Sequence, residues 1–110
     1  MKIGAMNNPA QDPITEIEWI GRHGFDFVDF TLEPPDADPD MIAPEAVRST
    51  LDKLNLGVVA HTAWFLQLGS PFGSIRWACL EDLRRCLKAA HRIGAAVMNT
   101  HGRSRRGQRH

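Results

Sequence analysis

Gly57-Val58-Val59-Ala60-His61 and Gly94-Ala95-Ala96-Val97-Met98-Asn99-Thr100-His101 state one pattern twice. In each, a glycine that follows a helix opens a short apolar run that closes on a histidine. An apolar run of that length between a glycine and a polar residue reads as a buried strand. A strand that delivers a polar side chain at its C-terminal end is how parallel α/β folds place their active-site groups. His61 and His101 stand forty residues apart, a length that fits one strand-helix unit with a generous loop.

Working outward, Lys2 to Met6 reads as a first strand and Asn7-Asn8-Pro9 as the turn after it. Asp12 is a good N-cap and Pro13 suits the first helical position, so a helix is expected from about Pro13 to His23, with Ile17 and Ile20 inward and Gly24 as its stop. From Phe25 to Glu33, Val28, Phe30 and Leu32 alternate with Asp29, Thr31 and Glu33, the period of a strand. Pro34-Pro35 ends it and opens an acidic loop to Asp40. A second helix is expected over Pro44 to Asn55 with Val47, Leu51 and Leu54 inward, then the Gly57–His61 strand, then a loop from Trp64 to Ser74. A third helix should run from Ile75 to Ile93 on a stripe of Cys79, Leu83, Cys86, Leu87 and Ala90, and a last strand from Ala95 to Thr100. The order βαβαβαβ implies a parallel sheet with right-handed crossovers.

Composition bounds the function. At 110 residues, 43% apolar and 24% charged, the chain suits one modest soluble domain. The net charge of zero conceals an asymmetry: Arg103, Arg105, Arg106 and Arg109 crowd the last eight residues, and no carboxylate follows Asp82. With those four set aside, nine basic side chains face thirteen acidic ones, so the body is mildly acidic. The arginine tail has no interleaved aromatic, and nucleic acid is an unlikely partner for it. Cys79 and Cys86, seven residues apart on one helix, would hold their α-carbons roughly 10 Å apart, too far for a disulfide. Both are expected as buried thiols in a reducing compartment. No apolar run nears the ~18 residues of a membrane span, and no signal-peptide core opens the chain, so a cytoplasmic location is expected. The sequence holds no Walker loop, Gly-x-Gly-x-x-Gly turn, Cys-x-x-Cys pair or Gly-x-Ser-x-Gly elbow, which argues against nucleotide binding, zinc ribbons and serine hydrolases.

The candidate site residues follow from strand ends. His61 and His101 could ligate a metal, act as bases or hydrogen-bond a sugar hydroxyl. Asp29 and Glu33 share one strand parity, and either could be the strand-two acid. Trp64, with Phe65 and Phe72, could wall a pocket or pack the loop onto the rim. Asn7, at the end of strand one, could donate to a ligand.

Gly24-Phe25-Asp26-Phe27-Val28-Asp29-Phe30, Val58-Val59-Ala60-His61, and the block from Ser70-Pro71-Phe72 through Leu83, Leu87, Ala90 and Gly94 to Asn99-Thr100-His101-Gly102 together resemble the N-terminal part of the xylose isomerase-like TIM barrels. The resemblance implies the first half of a (βα)8 TIM barrel over residues 1–102, truncated after strand four, with 103–110 a disordered Arg-rich tail. It implies a parent that is a sugar or sugar-phosphate isomerase or epimerase, in which His61 and Glu33 would be catalytic and His101, Asp29, Trp64 and Asn7 would contact substrate. A divalent metal (Mn, Zn, Mg or Co) is implied in that full-length parent, and this chain alone need hold none. In the endonuclease IV-like branch of the family, an apurinic endonuclease, His61 and His101 would instead be metal ligands. The remaining alternative is a non-catalytic α/β binding module.

The family's main Glu, Asp, His and Glu metal ligands come from strands five to eight, which this sequence lacks. The chain is therefore expected to be incomplete and inactive alone, from a truncated or frameshifted reading frame. Its open sheet edges would favour a homo-oligomer, or a half-barrel subunit completed by pairing.

Overall fold

Strands and helices alternate through the chain, as the glycine-punctuated pattern requires. A computed structural model describes residues 1–63 and 65–100. Its elements are β1 (Gly4–Met6), α1 (Pro13–Arg22), β2 (Phe27–Leu32), α2 (Pro44–Lys53), β3 (Gly57–Thr62), α3 (Gly73–Ile93) and β4 (Met98–Asn99). The strands lie side by side in the order β1-β2-β3-β4 and every pairing is parallel. This is the arrangement of the first four strands of a TIM barrel.

Local chemistry sets the element ends. The Asp12 carboxylate accepts the Thr15 N–H at 3.0 Å and caps α1, while Pro13 fills its first turn, where a missing N–H costs nothing. Pro44 begins α2 in the same way, without a side-chain cap at Ala43. α3 ends at Gly94, whose φ of 92° is the left-handed cap that a side chain resists. β4 is shorter than the expected Ala95–Thr100, pairing only through Met98 and Asn99, and α3 begins two residues before Ile75.

The sheet has two chemically different faces. On one parity of β2, Val28, Phe30 and Leu32 are fully buried against the helices with Ile17, Ile20, Val47, Leu51, Cys86, Ala90 and Ile93. On the other parity, Phe27, Asp29 and Thr31 share a face with their register partners Gly4, Met6, Gly57, Val59 and His61. The first face is the core, and the second is the barrel-interior face on which polar side chains gather.

Two helix readings are corrected. The buried stripe of α3 is Cys86, Ala89, Ala90 and Ile93; Leu87 is exposed and Cys79 only half-buried. Cys86, Ala89, Ala90 and Ile93 fall within about 100° of arc on one side of the helix, which leaves Leu87 on its flank, and exposed ion pairs join Arg85 to Asp40 and Arg92 to Glu45. The hydrogen bond from Arg92 holds the Glu45 carboxyl below its ordinary range. Leu54, expected inward, lies at the end of α2 and is partly exposed.

Both cysteines are free thiols. Burial, aided by the neighbouring Asp82 carboxylate, pushes the Cys86 thiol up to about 12.

Candidate functional site

β2 and β3 run in register with Thr31 beside His61 and Asp29 beside Val59. Both side chains of interest therefore leave the interior face near the C-terminal strand ends. His61 Nδ1 lies 2.7 Å from Asp29 Oδ1, and His61 Nε2 lies 2.9 Å from Thr31 Oγ1. An ionised carboxylate only accepts, so Nδ1 carries the proton and donates to Asp29. In the neutral ring Nε2 then accepts from the Thr31 hydroxyl, and in the imidazolium it donates to the same oxygen. The hydroxyl can serve either state by rotating, so the ring can take up or release a proton at Nε2 without moving.

Asn7 fixes this assembly from β1. Its Oδ1 accepts the Thr31 N–H at 2.7 Å and its Nδ2 donates to the Thr31 carbonyl at 3.4 Å, both in a buried setting. The amide expected to meet a ligand thus brackets the backbone of the residue that meets His61. The pair itself is accessible from the concave face: the His61 side chain is 12% exposed and that of Asp29 33%.

Of the two acids left open by the sequence, Asp29 is the one bonded to His61. Glu33 sits one residue past β2, half-buried, with its N–H donating to the Ala37 carbonyl at 3.0 Å. Phe65 and Phe72 are exposed on the loop after β3, whose exit is organised by Ser70: its hydroxyl accepts the Phe72 N–H and its carbonyl accepts from Arg76. On the helix-side parity, Thr62 donates to Thr100 at 3.0 Å and ties β3 to the segment beyond β4. His101, Trp64 and the tail lie outside the described residues.

Thr31 was the residue sequence reasoning missed. Its signal was present, since it shares parity with Asp29 on a strand paired with the one that ends in His61. The described residues do not assemble a metal site: among them no three His, Cys, Asp or Glu come together in a form that could hold an ion. His61 has Asp29 beside it but no third donor of the metal-ligating type, so the described residues do not by themselves fit a bound metal.

The family model for the xylose isomerase-like TIM barrel matches residues 17–110. The chain belongs to that family. Among solved structures, D-allulose 3-epimerase from Methylomonas sp. superposes with a TM-score of 0.75 at 19% identity over 92% of this chain. The same enzyme in complex with D-allulose gives 0.74 at 17% identity, again over 92%. Those matches take in only 37% and 36% of the epimerase chains, so this member of the family spans little more than a third of their length. No curated protein sequence matches it. Among the described residues, no helix is long and apolar enough to cross a membrane.

Proposed function

We propose that this chain carries the sugar-recognising N-terminal half of a xylose isomerase-like enzyme of the isomerase or epimerase type. The observation that carries the reading is the Asp29–His61–Thr31 hydrogen-bond chain on the barrel-interior face, at the strand ends where this fold binds substrate. D-allulose in the complex of the superposed epimerase supports a sugar as the ligand class.

In an isomerase or epimerase of this kind a base removes a proton from carbon beside a carbonyl. The C–H electron pair becomes the C=C bond of an enediolate, and the carbonyl oxygen takes the negative charge. His61, its ring fixed by Asp29, is suited to hydrogen-bond a sugar oxygen or to pass a proton at Nε2, with Thr31 vacating that nitrogen as the sugar arrives. Asp29 is a positioning residue, and Asn7 holds Thr31 in place. Phe65 and Phe72, exposed on the loop after β3, are proposed to border the bound sugar. The divalent metal implied for the family would depend on donors beyond this half, and the chain alone is proposed to bind sugar without turning it over.

The test is a titration of the folded chain with D-allulose, followed by the imidazole 15N and 1H resonances of His61. Millimolar, saturable shifts at His61 that vanish in His61→Ala support the reading. A folded chain whose His61 resonances stay fixed up to about 100 mM sugar refutes it.

A further inference from the structure

Thr31 and His61 stand in register across β2 and β3, and the same register carries on to β4, where His61 pairs with Asn99. Side chains at paired positions of a parallel sheet leave the same face. The neighbouring positions show which face that is. Met98 pairs with Ala60 and packs against the core, and Thr100 meets Thr62 on the helix-side parity. Asn99 lies between them, so its side chain shares the barrel-interior face with His61 and Thr31. A hydroxyl, an imidazole and a carboxamide thus form one row across three strands, which are spaced about 4.8 Å apart. Asp29 sits one level below that row.

The asparagines at the two strand ends are used differently. Asn7 is 2% exposed and commits both ends of its amide to the Thr31 backbone. Asn99 is exposed, and among the described residues its side chain makes no hydrogen bond. Such a carboxamide offers a donor and an acceptor side by side, the complement of a hydroxyl, which both donates and accepts. The same face offers little to an anion. No Lys or Arg stands at the paired interior positions of the four strands, and Asp29 sets a carboxyl group among them. We propose that Asn99 is a sugar-binding residue of this site, its amide taking a second hydroxyl of the same neutral sugar whose first oxygen meets His61 Nε2. The inference rests on the sugar reading of the site and adds to it a residue, a strand and an uncharged contact. Two contacts on neighbouring strands fix which carbon of the sugar faces the imidazole, where one contact would let the ring turn. A site built to hydrogen-bond a hydroxyl also rejects an analogue that lacks it, so Asn99 is placed to set specificity.

The test follows the side-chain amide resonances of Asn99 together with the ring resonances of His61 while the folded wild-type chain is titrated with D-allulose. Both are expected to shift along one saturation curve. Asn99→Ala, with the far-UV circular dichroism of the wild type, is expected to weaken that binding about 3- to 10-fold, the loss of one hydrogen bond. Inorganic phosphate at equal concentration is expected to leave the Asn99 resonances in place. A His61 shift without an Asn99 shift overturns this inference and leaves the sugar reading standing. So does an unchanged affinity in Asn99→Ala, and so does phosphate that moves Asn99 as the sugar does. An Asn99 shift without a His61 shift overturns the two-point contact. If neither residue responds, the sugar reading fails and this contact fails with it. Should Asn99→Ala not fold, the wild-type resonances decide alone.

Discussion

Asp29 Oδ1 lies 2.7 Å from His61 Nδ1 although the two residues are not opposite one another: His61 is in register with Thr31, and Asp29 with Val59. The imidazole leans back along β2 and takes one partner from its own level and one from the level below. A histidine held at both nitrogens from a neighbouring strand has its ring plane and its tautomer fixed together.

Asp29→Ala removes the acceptor for Nδ1–H and leaves a part-buried donor to find water. A loss of about 1–2 kcal/mol in stability is expected from urea unfolding. The sharper readout is the ring itself. In the wild type at a pH where His61 is neutral, 15N shifts should report the Nδ1–H tautomer alone, and Asp29→Ala should give a mixture. A single unchanged tautomer in the variant would mean that Asp29 does not orient the ring.

Asn7 provides a second test, since its amide satisfies both backbone groups of Thr31. Asn7→Ala strands a buried N–H on a residue only 3% exposed, at a cost of about 1–3 kcal/mol. Because Thr31 holds His61 Nε2, the variant should also broaden the His61 ring resonances. Asn7→Asp keeps the acceptor and loses the donor, so it should recover most of the stability. Equal losses for the two variants would assign the effect to the hydrogen bond donated by Nδ2–H, which both lack, rather than to the accepted one.

Much of this was legible beforehand, for identifiable reasons. Period-two alternation from Val28 to Leu32 and the left-handed glycines Gly24 and Gly94 fix strands, faces and order, because burial and left-handed caps are read from single residues. After α2 it is Asn55, not Gly57, that takes the positive φ. The partner of His61 was not legible. Asp29 and Glu33 share parity, and only the register between β2 and β3, with the strand ending at Leu32, decides which carboxylate reaches the ring. The inward stripe of α3 was misjudged at Leu87 because a periodic helix offers several apolar faces. The face that meets the sheet is the one on which the small residues Cys86, Ala89 and Ala90 pack with Ile93 into the core, a fit between elements that helix periodicity alone does not show.

Gly94 tests the cap that launches β4. Its φ of 92° and the approach of Arg48 Nε to within 3.5 Å of an added Cβ make Gly94→Ala unfavourable chiefly through the backbone. The expected cost is about 1–2 kcal/mol, read from denaturant unfolding. Gly24→Ala, at φ 80° with open space around it, should cost a similar amount for the same reason. A neutral result at both sites would mean that neither helix needs its left-handed terminus.

The Cys86 thiol makes stability depend on alkaline pH. Buried against β2 and beside Asp82, it is pushed from its ordinary 9.0 up to about 12 in the folded chain, because burial disfavours the thiolate. At pH 8 the thiol is protonated in both folded and unfolded chains and contributes no pH dependence. Between about 9 and 12 the unfolded chain sheds the proton while the folded chain keeps it. The folded state then binds more protons, so stability falls as pH rises through that window. The urea midpoint of the wild type should drop faster from pH 8.5 to 10.5 than that of Cys86→Ala, in which the titrating group is gone and lysine ionisation remains as shared background. Thiol reagents give the same answer by rate: at pH 8 half-buried Cys79 should react while Cys86 waits for unfolding. Parallel pH slopes in the two proteins, or two thiols modified together in the folded state, would mean that the thiolate at Cys86 is as accessible as the thiol.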